Sequence, residues 1–168
     1  MLFGFVPPTH AMDKGSADSL QAAIRTLSFL ESLPREGVIA VGVVYPSDIP
    51  NAQVLAVETA KSIGDMRGPN FRILRSVVLS TIDLEKFQGH LDVIFLMPGA
   101  SKHSDVILNA MHRNHLVSIS GDPACVDAKC CVLMVHSGQR VEISLNTALA
   151  DAVGAHFSLV FMMVVKRE

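Results

Sequence analysis

Tryptophan is absent from this chain of 168 residues, tyrosine occurs once, and charged residues make up only 18% of the sequence. The net charge of −2 gives no basic field that would attract nucleic acid. Lysine and arginine are scattered, so the sequence shows no polybasic patch for a membrane surface. No apolar run reaches the ~18 uninterrupted residues that a membrane span requires. We therefore expect neither a nucleic-acid partner nor direct membrane insertion.

The motifs of common enzyme classes are also missing. We find no GxSxG elbow, no P-loop, no GxGxxG after a strand and no HExxH. His112 and His115 have the i, i+3 spacing of metal ligands, with His103 nearby, but a catalytic zinc site needs a third ligand and usually a carboxylate base. Solvated histidines at a helix end are the interpretation we favour. We expect a protein without catalysis, metal or cofactor, and keep an uncharacterised hydrolase as a minor alternative.

What the chain does have is apolar content, at 49% with a mean hydropathy of +0.38, and a length that fits one domain. Residues 16–168 are predicted to form that domain. Residues 1–15 are interpreted as an N-terminal tail or the remnant of a leader. The run 1–6 is apolar and 9–11 resembles the end of a cleavage site, but a signal peptide should also have a charged start and a longer apolar stretch.

Strand-like and helix-like segments alternate over about 120 residues. The pattern predicts a three-layer α/β sandwich with a mixed, mainly parallel sheet and a C-terminal antiparallel hairpin. Within the hairpin, Val141 and Ile143 should share the core face. The run 157–165 is ambiguous between strand and helix. The predicted helices are 16–33, 51–63, 83–87, 101–111 and 147–153, and the predicted strands are 38–45, 71–79, 91–97, 116–119, 132–136 and 140–145.

Polar residues follow three of the predicted apolar strands. In open α/β sheets ligands bind at the carboxyl ends of the strands, where helix N-termini attract anions. A small ligand would therefore lie in a crevice formed by Ser47, Asp48, Ser101 and Asp122. An open, polar crevice would favour a small-molecule binding protein, whereas one filled by side chains would favour a regulator that binds a protein.

Three cysteines, Cys125, Cys130 and Cys131, crowd into one loop. Their spacing gives neither the paired Cys-x-x-Cys of a zinc knuckle nor a redox CxxC. A disulfide within the loop is the interpretation we favour, and it would indicate an oxidising compartment. Three reduced thiols in a cytosolic protein are the alternative. The residues alone leave open whether Cys130 or Cys131 pairs with Cys125.

So few charges in so apolar a chain predict an exposed apolar patch, and such patches usually mark protein contacts. The candidates lie in the first helix and in the terminal segment, and a homodimer or a partner site would use them. For the terminal segment, ordinary core is nearly as good an interpretation. The candidate interface residues are Ile24, Leu27, Phe29, Phe161 and Met162, with Met163 also in the terminal segment.

The C-terminal third, read as SISGDPACVDAKCCVLMV and then QRVEISLNTALADAVGAHFSLVFMMVVKRE, resembles the YfiR-like family of periplasmic proteins. The order of LQAAIRTLSFLESLP and IAVGVVYPSD also resembles that family, as does a short helix leading into an apolar strand over 84–97. The resemblance covers about residues 16–168. The order of elements carries it, since none of the motifs is catalytic.

The resemblance implies a fold akin to one lobe of a periplasmic binding protein, often dimeric. It implies a periplasmic regulator, because better-known members bind the periplasmic sensor region of an inner-membrane diguanylate cyclase and so control cyclic-di-GMP. It also implies a Cys125–Cys131 disulfide, with Cys130 where a non-cysteine is usual. A second cysteine pair of some members is missing, and His90 stands about where one of those cysteines falls.

Overall fold

A computed structural model of the chain describes residues 14–168. Of the predicted tail or leader remnant, residues 1–13 lie outside the described part of the chain. The helices are α1 (Lys14–Thr26), α2 (Ala52–Asp65), α3 (Thr81–Lys86), α4 (Ser104–Asn114), α5 (Ala124–Asp127), α6 (Thr147–Val153) and α7 (Leu159–Val164). The strands are β1 (Ile39–Tyr45), β2 (Leu74–Ser80), β3 (Val93–Leu96), β4 (Val117–Ser120), β5 (Leu133–Ser137), β6 (Val141–Leu145) and β7 (Lys166–Arg167). Short 3₁₀ turns occupy Leu27–Phe29, Pro69–Phe71 and Ala100–His103.

The strands form one seven-stranded sheet in the order β2-β1-β3-β4-β5-β6-β7. The β5–β6 pair is antiparallel and every other pair is parallel. β1 is buried along most of its length without polar alternation, as expected for a parallel strand covered on both faces. The predicted α/β class, with its mainly parallel sheet and antiparallel hairpin, is confirmed. Among the described residues, no helix is long and apolar enough to cross a membrane.

Local chemistry sets several element boundaries. Asn146 caps α6, because its Oδ1 accepts a hydrogen bond from the Leu149 amide at 2.9 Å, and Gly154 ends that helix with a positive φ of 74°. In the ambiguous terminal run, the Ser158 hydroxyl accepts from the Phe161 amide at 3.4 Å and begins α7. β2 begins at Leu74, three residues later than predicted, because Pro69–Phe71 forms a turn.

The register of the hairpin confirms one expectation and corrects another. Val135 lies opposite Ile143, and Ser137 lies opposite Val141, so Val141 and Ile143 share a face. Burial along β6 rises from Val141 towards Leu145, and Val141 is 44% exposed. The prediction that Val141 lies in the core is therefore wrong. β6 contacts α1, and its first two residues, next to the hairpin turn, are exposed.

Candidate functional site

The carboxyl ends of β1, β3 and β4 meet where the sheet order changes direction. The chain passes from β1 outward to β2 and then returns to the other side of β1 as β3. Such a switch point opens a crevice between the two strands, and α/β proteins use it to bind ligands. The loops that follow β1 and β3 carry Ser47, Asp48 and Ser101, and Asp122 follows β4.

Side chains bridge this crevice. His103 Nε2 lies 2.9 Å from Asp48 Oδ1, which joins the loop after β1 to the turn after β3. The side chain of Ile49 lies directly over Gly99, so closely that a β-carbon at Gly99 would collide with it. Gly99 also has a positive φ of 84°, which glycine adopts without strain. The two walls of the switch point are thus held together by one polar and one apolar contact.

Asp122 is engaged within the protein. Its Oδ2 accepts a hydrogen bond from the Gly99 amide at 3.1 Å, and its Oδ1 accepts one from the Ala124 amide at 3.0 Å. Asp122 therefore ties the β3 loop to the start of α5. Ser47 is exposed, whereas Ser101 is half-buried within its 3₁₀ turn. The structure brings the four predicted crevice residues to the same end of the sheet, but the two carboxylates already have protein partners.

The Asp48–His103 pair is the electrostatic feature of this end. The hydrogen bond from His103 lowers the pKa of the Asp48 carboxyl below its ordinary value of 3.8, and the positive charge of Lys102 contributes in the same direction. Sequence reasoning named both residues but did not pair them, because they are 55 positions apart. Only the folding of β1 against β3 brings them together.

The cysteine loop is covalently closed. Cys125 and Cys131 form a disulfide with their Cα atoms 5.7 Å apart, which is the pairing that the family resemblance implied. Cys130 remains a buried thiol whose backbone N–H donates to the Cys125 carbonyl at 3.1 Å. Desolvation raises the pKa of Cys130 to about 11. Such a thiol is protonated at neutral pH and is a poor nucleophile.

Among the described residues, no three His, Cys, Asp or Glu side chains stand close enough together to hold a metal ion. His115 Nδ1 contacts the Val153 carbonyl at 3.3 Å at the end of α4, and His112 is exposed. A small depression of about 190 Å³, counted with its part open to solvent, adjoins the disulfide and is lined by Cys131, Met134 and Glu168 among others.

The predicted interface residues divide between core and surface. Ile24, Leu27 and Phe161 are 7%, 1% and 3% exposed, so the structure places them in the core and corrects their assignment to an interface. Met162 is half-buried and packs on that core. Phe29 is 37% exposed and its ring stacks on Phe161 with centroids 5.2 Å apart. Phe29 and Met163, the latter 84% exposed, are the candidates that the structure leaves exposed.

One exposed apolar surface is formed by neighbouring side chains of α7. Leu159, Val160, Met163 and Val164 are between 67% and 84% exposed. They lie at spacings of one, four and five residues, which places them along one side of the helix. Phe161 faces the opposite side and anchors α7 between the rings of Phe29 and Phe157. We call these four residues the α7 surface, and Phe29 borders it at the start of the helix, where its carbonyl accepts a hydrogen bond from the Ser158 amide at 2.9 Å.

The sequence did not separate the buried from the exposed side of this helix, because the expected interface residues Phe161 and Met163 lie on different sides of it. The run LVFMMV is apolar throughout, so periodicity could not distinguish its buried side from its exposed side. The side of α7 that faces the core is decided by the rings of Phe29 and Phe157.

Comparisons with known proteins identify the fold. No protein-family model matches the chain, and no curated protein matches it. Several solved structures match the chain. A substrate-binding protein with adhesive properties from Clostridium difficile, in its ligand-free open form, aligns with a TM-score of 0.57 at 11% identity. The alignment covers 77% of this chain and 54% of that one.

Two further structures show the same likeness. An ABC domain from Streptococcus pneumonia in complex with L-Trp aligns with a TM-score of 0.55 at 9% identity, over 77% of this chain and 56% of that one. A conserved domain protein from Vibrio cholerae aligns with a TM-score of 0.58 at 11% identity, over 90% of this chain and 59% of that one. The chain thus spans little more than half the length of these proteins. At such identities the likeness establishes a shared fold.

Proposed function

We propose that this chain is a non-catalytic binding protein of an oxidising compartment outside the cytoplasm, and that it acts by binding another protein through the α7 surface. The observation that carries the proposal is the exposure of four large apolar side chains on a helix of six residues. Contiguous apolar surface of this kind is characteristic of protein contacts. Methionine in particular suits an interface that adapts to its partner.

The bridged crevice supports a protein partner over a small ligand. Asp48 is bonded to His103, both oxygens of Asp122 accept backbone hydrogen bonds, and Ile49 lies over Gly99. A ligand entering the switch point would have to displace these contacts. The α7 surface needs no such rearrangement, because its apolar side chains are already exposed.

The partner and compartment follow from the family resemblance. A YfiR-like protein would be periplasmic, often dimeric, and would bind the periplasmic sensor region of an inner-membrane diguanylate cyclase or a similar signalling protein. The Cys125–Cys131 disulfide supports an oxidising compartment. Homodimerisation would use the same apolar surface or its border at Phe29.

The test compares Met163→Glu with Val54→Glu. Both side chains are exposed, at 84% and 58%, and Val54 lies on α2 rather than α7. We expect both variants to fold with the melting temperature of the unmodified protein. Only Met163→Glu should lose the dimer in light scattering, or lose capture of a membrane signalling protein from envelope extract. Equal behaviour of the two variants in both assays would contradict the proposal.

A second candidate, a periplasmic small-molecule binding protein, is favoured by the fold that the chain shares with a substrate-binding protein. Such proteins close two lobes around a ligand, and this chain corresponds to about half of that length. Its ligand would lie at the switch point beside Asp48. Replacing His103 with alanine should then change the affinity for that ligand, measured by thermal shift across amino acids and other small metabolites. If no compound raises the melting temperature, the small-molecule function is contradicted and the protein-binding function remains.

A further inference from the structure

The turn Pro69–Phe71 presents an aromatic side chain to solvent in an unusual backbone conformation. Phe71 is 89% exposed and has a φ of 59°, directly after Asn70 with a φ of 55°. A bulky residue rarely adopts this left-handed conformation. Such conformations persist where the surrounding structure enforces them, and they concentrate at functional sites.

Hydrogen bonds fix the turn on two sides. The Gly68 amide donates to the Arg72 carbonyl at 2.9 Å, which closes the turn around Phe71. The Arg72 guanidinium donates to the carbonyls of Gly37 at 2.8 Å and Glu36 at 3.1 Å, and also to that of Pro34. The turn is therefore ordered before anything binds it, and presenting Phe71 to a binding surface costs little further conformational entropy.

Apolar and basic side chains surround the turn. Ile73 is 56% exposed and Val38 is 37% exposed, and the Ile39 amide donates to the Ile73 carbonyl at 3.0 Å, so these residues adjoin. The backbones of Arg67 and Ile73 form an antiparallel β-bridge, which places their side chains on the same side, and Arg75, two residues after Ile73 at the start of β2, lies on that side as well. The two segments, 34–38 and 65–75, carry Arg35, Arg67, Arg72 and Arg75 against Glu36 and Asp65.

The charge of these segments is opposite to that of the chain. Four arginines and two carboxylates give +2, whereas the whole chain carries −2. An exposed phenylalanine in a turn, with the exposed Arg67 and Arg75 on either side of it in the sequence, fits an anionic and deformable surface. Arginine pairs with phosphate through parallel hydrogen bonds, and an apolar tip enters the boundary between headgroups and acyl chains. An acidic protein would instead need a preformed pocket to receive Phe71.

We propose that the Phe71 turn, flanked by Arg67 and Arg75, is a peripheral contact site for anionic phospholipid membranes. Phe71 enters the headgroup layer and the arginines bind the lipid phosphates. This inference does not depend on the α7 surface having a protein partner. The start of α7 lies close to the Phe71 turn, however, because the Ser158 amide donates to the Phe29 carbonyl at 2.9 Å and the turn Leu27–Phe29 contacts the turn Pro69–Phe71. A membrane-bound chain would therefore hold the α7 surface near a membrane-anchored partner.

The absence of tryptophan provides a site-specific probe. Phe71→Trp places one indole at the tip of the turn. Its emission should shift to the blue when vesicles of equal parts phosphatidylglycerol and phosphatidylcholine are added. Ile82→Trp is the matched control, because Ile82 is 55% exposed and follows the opposite, carboxyl end of β2. Its emission should not change, and neither variant should shift with phosphatidylcholine alone.

Co-sedimentation of the full chain with the same vesicles measures the contribution of the arginines. Each basic residue near an anionic surface contributes about fivefold to binding, so Arg67→Gln with Arg75→Gln should weaken binding by about thirtyfold. Arg140→Gln removes a charge that is 86% exposed at the hairpin tip and should leave binding unchanged. Salt should weaken binding of the unmodified chain. Circular dichroism melting should show all variants folded, because every substituted side chain is largely exposed.

Three results would overturn the proposal. One is unchanged emission of Phe71→Trp with anionic vesicles. Another is equal binding to phosphatidylcholine alone. The third is binding to poly-glutamate, lost in the double arginine variant, without any binding to vesicles, since that would identify an acidic protein as the ligand of this surface.

Discussion

Removing the Cys125–Cys131 disulfide tests the compartment and the energetics together. The bridge closes a loop with a sequence separation of only 6 residues. In the chain-entropy description, closing so short a loop stabilises the native state by about 2 kcal/mol, because it restricts the unfolded ensemble. For a domain of this size, that free energy corresponds to a fall in melting temperature of about 4–8 °C.

The assay is thermal unfolding, followed by circular dichroism, with and without reductant. The unmodified protein should lose about 4–8 °C on reduction. The double variant Cys125→Ala, Cys131→Ala should melt at a lower temperature and should not respond to reductant. Cys130→Ala is the control, because Cys130 is the cysteine outside the bridge. It should keep the full response to reductant, whatever its own loss of packing costs.

Mass spectrometry of protein made in an oxidising compartment completes the experiment. We expect one disulfide, mapped to Cys125 and Cys131, and one free thiol. A protein with three free thiols, or one whose melting temperature ignores reductant, would refute the loop-closure reasoning. It would also remove the cysteines as support for a location outside the cytoplasm.

Three further predictions concern the hairpin, the buried thiol and the bridged crevice. Val141→Asp should be tolerated, because Val141 is 44% exposed. Val135→Asp should lower the free energy of unfolding by more than about 3 kcal/mol in urea titration, because Val135 is 1% exposed and a carboxylate buried there would lack a partner. Similar urea midpoints for the two variants would show that Val135 is not more buried than Val141. Burial raises the pKa of the Cys130 thiol from 9.0 to about 11, so the unfolded chain releases this proton at a lower pH than the folded chain. The free energy of unfolding should therefore fall as the pH rises from about 9 to about 11, and Cys130→Ala should show a smaller fall. An identical fall in the variant would contradict the raised pKa of Cys130. His103→Ala should raise the pKa of Asp48 towards 3.8, measured by NMR titration of its carboxyl carbon, and an unchanged titration would mean that the two side chains do not interact in solution.

Much of the architecture followed from the sequence. Strand and helix signals are local: β1 is a run of β-branched and apolar residues, and Asn146 stands before an alanine-rich helix and Gly154. Their alternation is sufficient to predict a mainly parallel sheet between helices, with an antiparallel hairpin where Ser137-Gly138 separates two strands. The crowding of the cysteines likewise predicted a loop disulfide.

The surfaces were decided by tertiary structure. Burial depends on which elements lie against one another, so the uniformly apolar α7 could not indicate that Phe161 faces inward while Leu159 and Met163 face solvent. The same holds for Val141, which has the core alternation but lies at the hairpin tip. Pairs that are distant in sequence, such as Asp48 with His103 and Arg72 with the loop carbonyls 34–37, exist because β1 packs between β2 and β3. Arg67, Arg72 and Arg75 already lie close together in the sequence around Phe71, whereas the segment that carries Arg35 reaches this turn because β1 pairs in parallel with β2.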